Sequence, residues 1–124
     1  MATQAFVTRV IAYPGSETIL LARATNPAGN NLTSSNVSSK TAEIYDRDDN
    51  NTLKGTEWVN VYDSMRNDDR WDEDNTGFNI EVTVTGSNIP DSNNLYRADV
   101  KITTTANEEI YIPFDIVTLE RLIS

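Results

Sequence analysis

Two adjacent stretches decide the fold: Leu95-Tyr96-Arg97-Ala98-Asp99-Val100-Lys101-Ile102 and, a few residues later, Ile110-Tyr111-Ile112-Pro113-Phe114-Asp115-Ile116. In both stretches apolar residues occupy every second position, which is typical of β-strands with one buried face. The turn-forming segment Ala106-Asn107-Glu108 lies between them, so we expect an antiparallel hairpin. Because Pro113 has no backbone donor, the second strand is predicted to be an edge strand or to carry a bulge.

The rest of the chain repeats this pattern at short intervals. Residues 4–13, 17–26, 40–46, 53–62 and 78–85 each read as a strand, and Pro, Gly and Asn clusters separate most of them. The continuous run Ile19-Leu20-Leu21-Ala22 predicts a strand that is covered on both faces. Residues 34–38 and 64–69 could each form a short helical turn. Seven or eight short strands predict an all-β, antiparallel β-sandwich, either immunoglobulin-like or jelly-roll-like.

Composition excludes many kinds of chemistry. The 124 residues are expected to form a single domain, and they include no His and no Cys. Catalytic triads with a His or a Cys are therefore excluded, as are zinc, haem and iron–sulfur sites that need imidazole or thiolate ligands. Carboxylate pairs among Asp63, Asp69, Asp72 and Asp74 could in principle serve a small hydrolase, but acidic loops supply such pairs by chance, so we expect a protein that is not an enzyme.

The charge balance restricts the partners. The formal net charge is −9, and eleven Asp and Glu against four Lys and Arg lie between Glu43 and Asn75. Such a chain is not expected to bind nucleic acid directly, since that binding depends on basic residues. Anionic membranes would repel it as well, and no apolar run is long enough to span a bilayer. The start of the sequence lacks the features of a signal peptide, so folding in a bacterial cytoplasm is expected.

One acidic segment approximates a calcium-binding loop. Asp46, Asp48, Asn50 and Thr52 provide oxygens at alternate positions, and Glu57 stands where a closing carboxylate is needed. The segment lacks the glycine of such loops, and its flanks resemble strands instead of helices. An acidic hairpin turn explains the same residues. No cofactor and no metal are expected, and this segment is the single, weak candidate for calcium.

Other residues are candidates for protein contacts. The terminal segments 1–8 and 118–124 could complete the sheets or act as interaction arms. Trp and Arg are enriched at binding hot spots, although each tryptophan could equally belong to the core. The candidate contact residues are Phe6, Val7, Trp58, Arg70, Trp71, Leu119, Leu122 and Ile123.

A family resemblance covers about residues 19–117. The segments that carry it are Leu21-Ala22-Arg23-Ala24-Thr25-Asn26-Pro27-Ala28-Gly29-Asn30, Val37-Ser38-Ser39, Ala42-Glu43-Ile44-Tyr45-Asp46, Val61-Tyr62-Asp63-Ser64, Asp69-Arg70-Trp71, Asp74-Asn75-Thr76-Gly77-Phe78-Asn79, Leu95-Tyr96-Arg97-Ala98-Asp99-Val100-Lys101 and Ile112-Pro113-Phe114-Asp115-Ile116. Together they resemble a group of small β-sandwich structural proteins of tailed bacteriophages.

The resemblance implies a non-catalytic component of a bacteriophage virion, made in the host cytoplasm. A decoration or cement protein on the capsid is the first expectation, and a neck, tail or baseplate adaptor is the alternative. Its partners would be the major capsid protein or tail and neck proteins, and it would be a homo-oligomer. A different reading is a carbohydrate- or receptor-binding β-sandwich, with or without calcium in the acidic loop.

Overall fold

The computed structural model describes residues 5–7, 10–71 and 74–120, with backbone alone for residues 5–7. This part of the chain is built from strands and two single-turn 3-10 helices, Ser34–Asn36 and Gly86–Asn88. Neither of these helical turns approaches the length of a membrane-spanning helix. The nine strands among the described residues are β1 (Ala5–Val7), β2 (Val10–Ala12), β3 (Thr18–Ala24), β4 (Val37–Asp46), β5 (Thr52–Glu57), β6 (Val59–Arg66), β7 (Phe78–Val84), β8 (Leu95–Thr104) and β9 (Glu109–Thr118).

The strands form two sheets, in the orders β1-β3-β7-β6 and β2-β9-β8-β4-β5. The first order matches the ABED sheet of an immunoglobulin-type sandwich, and the second matches its GFC sheet with a strand added at each edge, β5 in the position of C′ and β2 beside β9. The predicted all-β sandwich is confirmed, and its topology is immunoglobulin-like. One pair differs from a purely antiparallel arrangement, because β2 runs parallel to β9.

The N-terminal segment explains that parallel pair. Residues 4–13 read as one strand in the sequence, but the chain changes sheets within them. Ala5–Val7 pair with β3 in the four-stranded sheet, whereas Val10–Ala12 pair with Ile116–Thr118 of β9 in the five-stranded sheet. The chain therefore borders both sheets on the same side of the sandwich.

The core lies between the inner faces of the two sheets. The alternating residues of the β8–β9 hairpin point into it as expected, and Ile89, in the loop that precedes β8, is also fully buried. Each fully buried aliphatic side chain of this kind contributes about 1.5–3 kcal/mol to stability. Apart from Phe78, which belongs to a separate cluster on the outer face of the four-stranded sheet, the largest buried side chains lie in this core: Tyr96, Phe114, Leu20, Leu32, Ile44, Ile80, Ile89, Ile102, Ile110, Ile112 and Ile116.

A buried asparagine completes the four-stranded sheet. The side chain of Asn79, 1% exposed, takes the place of a strand partner for Ala24. Its Oδ1 accepts the N–H of Ala24 at 2.9 Å, and its Nδ2 donates to the carbonyls of Ala24 and Leu32, both at 2.9 Å. Because every one of these buried groups is paired, the amide stabilises the end of β3 and the loop that ends at Leu32.

Pro113 occupies a position that does not need a donor. It pairs with Asp99 of β8, five positions along the ladder from Thr104 and Glu108. Thr104 and Glu108 form a hydrogen-bonded pair, in which the N–H of Thr104 donates to the carbonyl of Glu108. Hydrogen-bonded and non-hydrogen-bonded pairs alternate in an antiparallel ladder, so the nitrogen of Pro113 faces away from β8. Within the described residues β2 reaches only Ile116–Thr118, and β9 is an open edge at Pro113 as predicted.

Two further segments differ from the sequence prediction. Residues 53–62 are not one strand, because the chain leaves the five-stranded sheet at Glu57 and enters the four-stranded sheet at Val59. Residues 64–69 contain no helical turn, since β6 continues to Arg66. The short turn near residue 34 is present as Ser34–Asn36.

Candidate interaction surface

The acidic loop between β4 and β5 uses its oxygens for the turn itself. Asp46 is 3% exposed, and its Oδ1 accepts the N–H of Asp48 at 3.1 Å and the Nδ2 of Asn94 at 2.9 Å. The Oδ2 of Asp48 accepts the N–H of Leu95 at 2.9 Å. Asn50 has a φ of 53°, a left-handed conformation that Asn adopts more readily than most residues. These groups hold the hairpin turn against the start of β8.

The predicted closing carboxylate of the calcium loop is elsewhere. Glu57 lies five residues beyond Thr52 along the extended strand β5, which is about 16 Å. Its carboxylate accepts the N–H and Oγ1 of Thr85, at 2.6 and 3.0 Å, and the Nδ2 of Asn88 at 2.8 Å. A strand in place of a helix separates the ligands, so the structure does not bring the five candidate residues together. Across residues 10–71 and 74–120, no three acidic side chains are grouped to hold a metal ion.

Trp71, a predicted contact residue, is buried instead. It is 5% exposed and packs with Leu21 and Phe78 on the outer face of the four-stranded sheet. Its ring centroid lies 5.9 Å from that of Phe78, and Tyr62 approaches the other edge of Phe78 at 6.1 Å. The run at Leu21 is therefore covered on both faces, as the sequence predicted. We call residues 67–71 and 74–77 the Trp71 cap.

Asp74 fixes the position of the cap. Its Oδ1 accepts the Nε1–H of Trp71 at 3.0 Å and the N–H groups of Thr76 and Gly77 at 3.0 and 3.2 Å. The guanidinium of Arg23 lies 2.7 Å from its Oδ2. The bond from Trp71, followed by those from Arg23 and the two backbone amides, lowers the pKa of Asp74 to about 2.

Arg70 lies on top of the cap. Its Cζ is 5.5 Å from the centroid of Phe78, and its guanidinium contacts Asp68 at 2.9 Å and Glu81 at 3.1 Å. The side chain is 42% exposed, but these contacts hold it over the aromatic cluster. Arg70 thus completes the cover of the four-stranded sheet.

The outer face of the five-stranded sheet has no comparable cover among the described residues. Seven large hydrophobic side chains are substantially exposed in this part of the chain. One of them, Trp58, links the two sheets, and the other six lie on the strands of this sheet or just beyond the ends of β2 and β9. The six are Ile11, Tyr13, Leu53, Tyr111, Val117 and Leu119. The sequence-based candidates included Leu119 alone of these six. The signal that could have identified Tyr111 and Val117 is their position on the polar side of an otherwise alternating strand.

Four of these side chains gather at one end of the face, which we call the apolar corner. Ile11 of β2 is paired with Val117 of β9, and Tyr13 and Leu119 follow just beyond the strand ends. The N–H of Leu119 donates to the carbonyl of Ala12 at 2.9 Å, which keeps the ends of β2 and β9 together there. Ile11 and Tyr13 are 68% and 69% exposed, so they stand out from the sheet.

A shallow depression occupies the other end of the same face, and we call it the tyrosine groove. It has a volume of about 330 Å³ and is lined by Glu43, Arg97, Asp99, Val100, Lys101, Tyr111 and Pro113.

Three of the four charged side chains that line the groove, Arg97, Asp99 and Lys101, form ion pairs. Arg97 contacts Asp99 at 2.7 Å, and Lys101 contacts Glu109 at 2.8 Å. The hydroxyl of Tyr111 donates to Glu109 at 3.0 Å. Lys101 and then Tyr111 lower the pKa of Glu109, and Glu109 in turn raises the pKa of Lys101.

Trp58 is exposed at the side of the sandwich. It connects β5 to β6 and is 70% exposed. The Nζ of Lys40 lies 5.1 Å from its ring centroid, and its Nε1 donates to Oδ1 of Asn60 at 3.1 Å. This indole is held in a defined orientation while most of its surface faces solvent.

The predicted terminal arms are described in part. Phe6 and Val7 lie in β1, so this part of segment 1–8 completes the four-stranded sheet. Thr118 ends β9 with its side chain buried, and Leu119 joins the apolar corner. Leu122 and Ile123 lie outside the described residues.

Comparisons with known proteins support the architecture. No protein-family model matches the chain, and no curated protein does. A family 123 glycoside hydrolase from Clostridium perfringens that hydrolyses a glycolipid glycan is similar in structure, with a TM-score of 0.51 and 10% identity over 97% of this chain and 28% of that protein. CopC from Methylosinus trichosporium OB3b gives a TM-score of 0.49 and 8% identity, over 98% of this chain and 99% of CopC. At such low identity the likeness to the hydrolase concerns the fold alone, and the strand orders of its two sheets make this chain an immunoglobulin-like β-sandwich.

Proposed function

We propose that the chain is a non-catalytic binding module that docks onto another protein through the outer face of its five-stranded sheet. One observation carries the proposal: the chain covers the outer face of one sheet with the Trp71 cap and leaves six large apolar side chains exposed at the other. Exposed apolar surface in water is unfavourable by roughly 25 cal/mol for each Å², and a cluster such as Ile11, Tyr13, Val117 and Leu119 typically marks a binding site.

The dimensions of this face suit a specific complex. Its five strands are three to ten residues long and lie about 4.8 Å apart, so at about 3.3 Å per residue they cover roughly 600 Å², and a complex that uses the whole face buries about 1,200 Å² in total, the lower end of the range for specific interfaces. A standard interface buries about 800 Å² on each partner. Tyr111 and Tyr13 add aromatic area of the kind that dominates binding energy.

The class of partner comes from the sequence resemblance. It suggests other virion proteins of a tailed bacteriophage, with the chain as a capsid decoration or cement protein, or alternatively as a neck, tail or baseplate adaptor. A net charge of −9 would keep the free chain soluble before assembly, and the less charged sheet face would remain for docking.

Cosedimentation with particles tests this proposal. Particles of a tailed bacteriophage that were assembled without this chain are mixed with the purified protein. We expect the wild type to sediment with them and Val117→Lys to lose most of this binding. Trp58→Ala, which removes an exposed aromatic away from the face, serves as the matched control and should bind normally. A wild type that stays in the supernatant, or equal losses for the two variants, would contradict the proposal.

A carbohydrate-binding role is a second candidate, and one observation favours it. Trp58 presents an exposed, fixed indole of the kind on which a sugar ring stacks. Quenching or shift of Trp58 fluorescence by oligosaccharides, absent in Trp58→Ala, would support this role. No spectral change across a panel of bacterial surface glycans would exclude it for those glycans.

A further inference from the structure

We infer that a second copy of this chain occupies the outer face of the five-stranded sheet, with the apolar corner of each copy seated on the tyrosine groove of the other. The inference rests on the proposed docking face and names its one occupant in the free protein, which a virion partner would replace on assembly. It is carried by the arrangement of two unlike features on a single face.

The corner and the groove lie at opposite ends of the same strand. Val117 and Tyr111 are six residues apart on β9, which corresponds to about 20 Å. Asp115 lies midway between the corner residues and the groove residues of this strand. A two-fold axis that lies in the interface, across the strands near Asp115, exchanges the two ends. It therefore places each corner on the opposing groove.

This arrangement forms a closed dimer. In a two-fold interface one surface patch contacts another, and the same contact occurs a second time with the roles exchanged. Two sheets that face each other pack with their strands within about 30° of alignment, which an axis across the strands permits. Each copy contributes roughly 600 Å², so the total of about 1,200 Å² lies at the lower end of the range for specific interfaces and fits a reversible dimer.

The distribution of charge favours this face for contact between identical chains. Its outward positions on β4, β8 and β9 carry four carboxylates and two cations, a net charge of −2 within a chain of −9. Repulsion between two copies is therefore smaller here than over the rest of the surface. Arg97 and Lys101 already contact acidic neighbours, so an apolar side chain entering the groove leaves neither cation unpaired.

Sedimentation analysis of the full chain over a range of concentrations tests the dimer. We expect a reversible monomer–dimer equilibrium for the wild type. Val117→Lys, at the corner, and Tyr111→Ser, at the groove, should each weaken dimerisation at least about tenfold, because each change occurs twice in the dimer. Trp58→Ala is the control and should leave the equilibrium unchanged. Asp115→Asn should tighten it, since two like charges approach each other near the axis.

Mixing the two weakened variants provides the sharper result. A heterodimer of Val117→Lys and Tyr111→Ser has one contact with both changes and one contact with neither. This heterodimer should form more readily than the homodimer of either variant. A general loss of stability in the two variants would not produce that difference.

A wild type that remains monomeric at all concentrations overturns the inference, as does a heterodimer that forms no better than the variants. If that monomeric wild type still sediments with particles and Val117→Lys does not, the docking face stands and its occupant is a different protein. If neither dimerisation nor particle binding occurs, the proposed function fails too.

Discussion

The two tryptophans of this chain provide a matched test of the covered and uncovered surfaces. Trp71 is 5% exposed beneath the cap, whereas Trp58 is 70% exposed at the side of the sandwich. We expect Trp71→Ala to destabilise the protein strongly and Trp58→Ala to have little effect. The two substitutions remove the same atoms, so any difference reflects the surroundings of each ring.

The magnitude follows from the contacts of Trp71. Its removal exposes Leu21 and Phe78 and takes one donor from Asp74. Replacing a buried Trp or Phe with Ala typically costs 3–5 kcal/mol, and we expect about 4 kcal/mol here. For a chain of this length, Tm should fall by roughly 12 °C. Trp58→Ala removes an exposed cation–π contact with Lys40 and should cost less than about 1 kcal/mol.

Urea unfolding followed by far-ultraviolet circular dichroism measures both values without relying on tryptophan emission. A loss below about 1 kcal/mol for Trp71→Ala would show that the cap does not contribute to global stability. Equal losses for the two variants would refute the assignment of one ring as buried and the other as exposed.

Four other changes test separate parts of the structure. Asn79→Ala should cost about 3 kcal/mol in urea unfolding, because the buried N–H of Ala24 and carbonyl of Leu32 lose their bonds to the amide and the carbonyl of Ala24 keeps only the N–H of Leu32 at 3.2 Å. Gly77→Ala should cost about 2–3 kcal/mol in the same assay, since Gly77 has a φ of +97° and an added Cβ would collide with the carbonyl of Arg66. Because the pKa of Asp74 is lowered from 3.8 to about 2, its contribution is complete above pH 3.8 and is lost as the pH falls towards 2. In a Trp58→Phe background, the Trp71 emission should move to the red over that range, and an unchanged spectrum would contradict the role of Asp74. Calcium should leave Tm unchanged relative to chelator, since the Glu57 carboxylate is held at Thr85, and a clear rise in Tm would contradict this.

Much of the fold could be predicted because strand alternation reports burial directly. The alternation of apolar and polar residues was enough to predict which residues of β8 and β9 point inward. The continuous apolar run at Leu21 was enough to predict a strand covered on both faces. The change of sheet within residues 4–13 could not be predicted, because both halves have the same local pattern. The same holds at Trp58, where one apparent strand becomes β5 and β6.

The binding surface was harder to predict than the fold. Trp58 and Trp71 both stand among polar residues, and their opposite environments depend on distant partners, Lys40 in one case and Phe78 in the other. Tyr111 and Val117 occupy outward positions of a regularly alternating strand. Their exposure becomes evident only when the structure shows that nothing among the described residues covers the outer face of this sheet. The five candidate calcium ligands failed to converge because an extended strand carries Glu57 away from the loop.

The parallel pairing of β2 and β9 has a mechanical consequence. The chain enters β2 beside Ile116 and leaves β9 beside Ala12, at opposite ends of the pair. A force between the residues before β2 and those after β9 pulls the two strands in opposite directions along their length. Their hydrogen bonds are then loaded in shear, all at once, instead of opening one at a time as in a peeled hairpin. The β2–β9 pair is thus built to resist tension applied between these two strands.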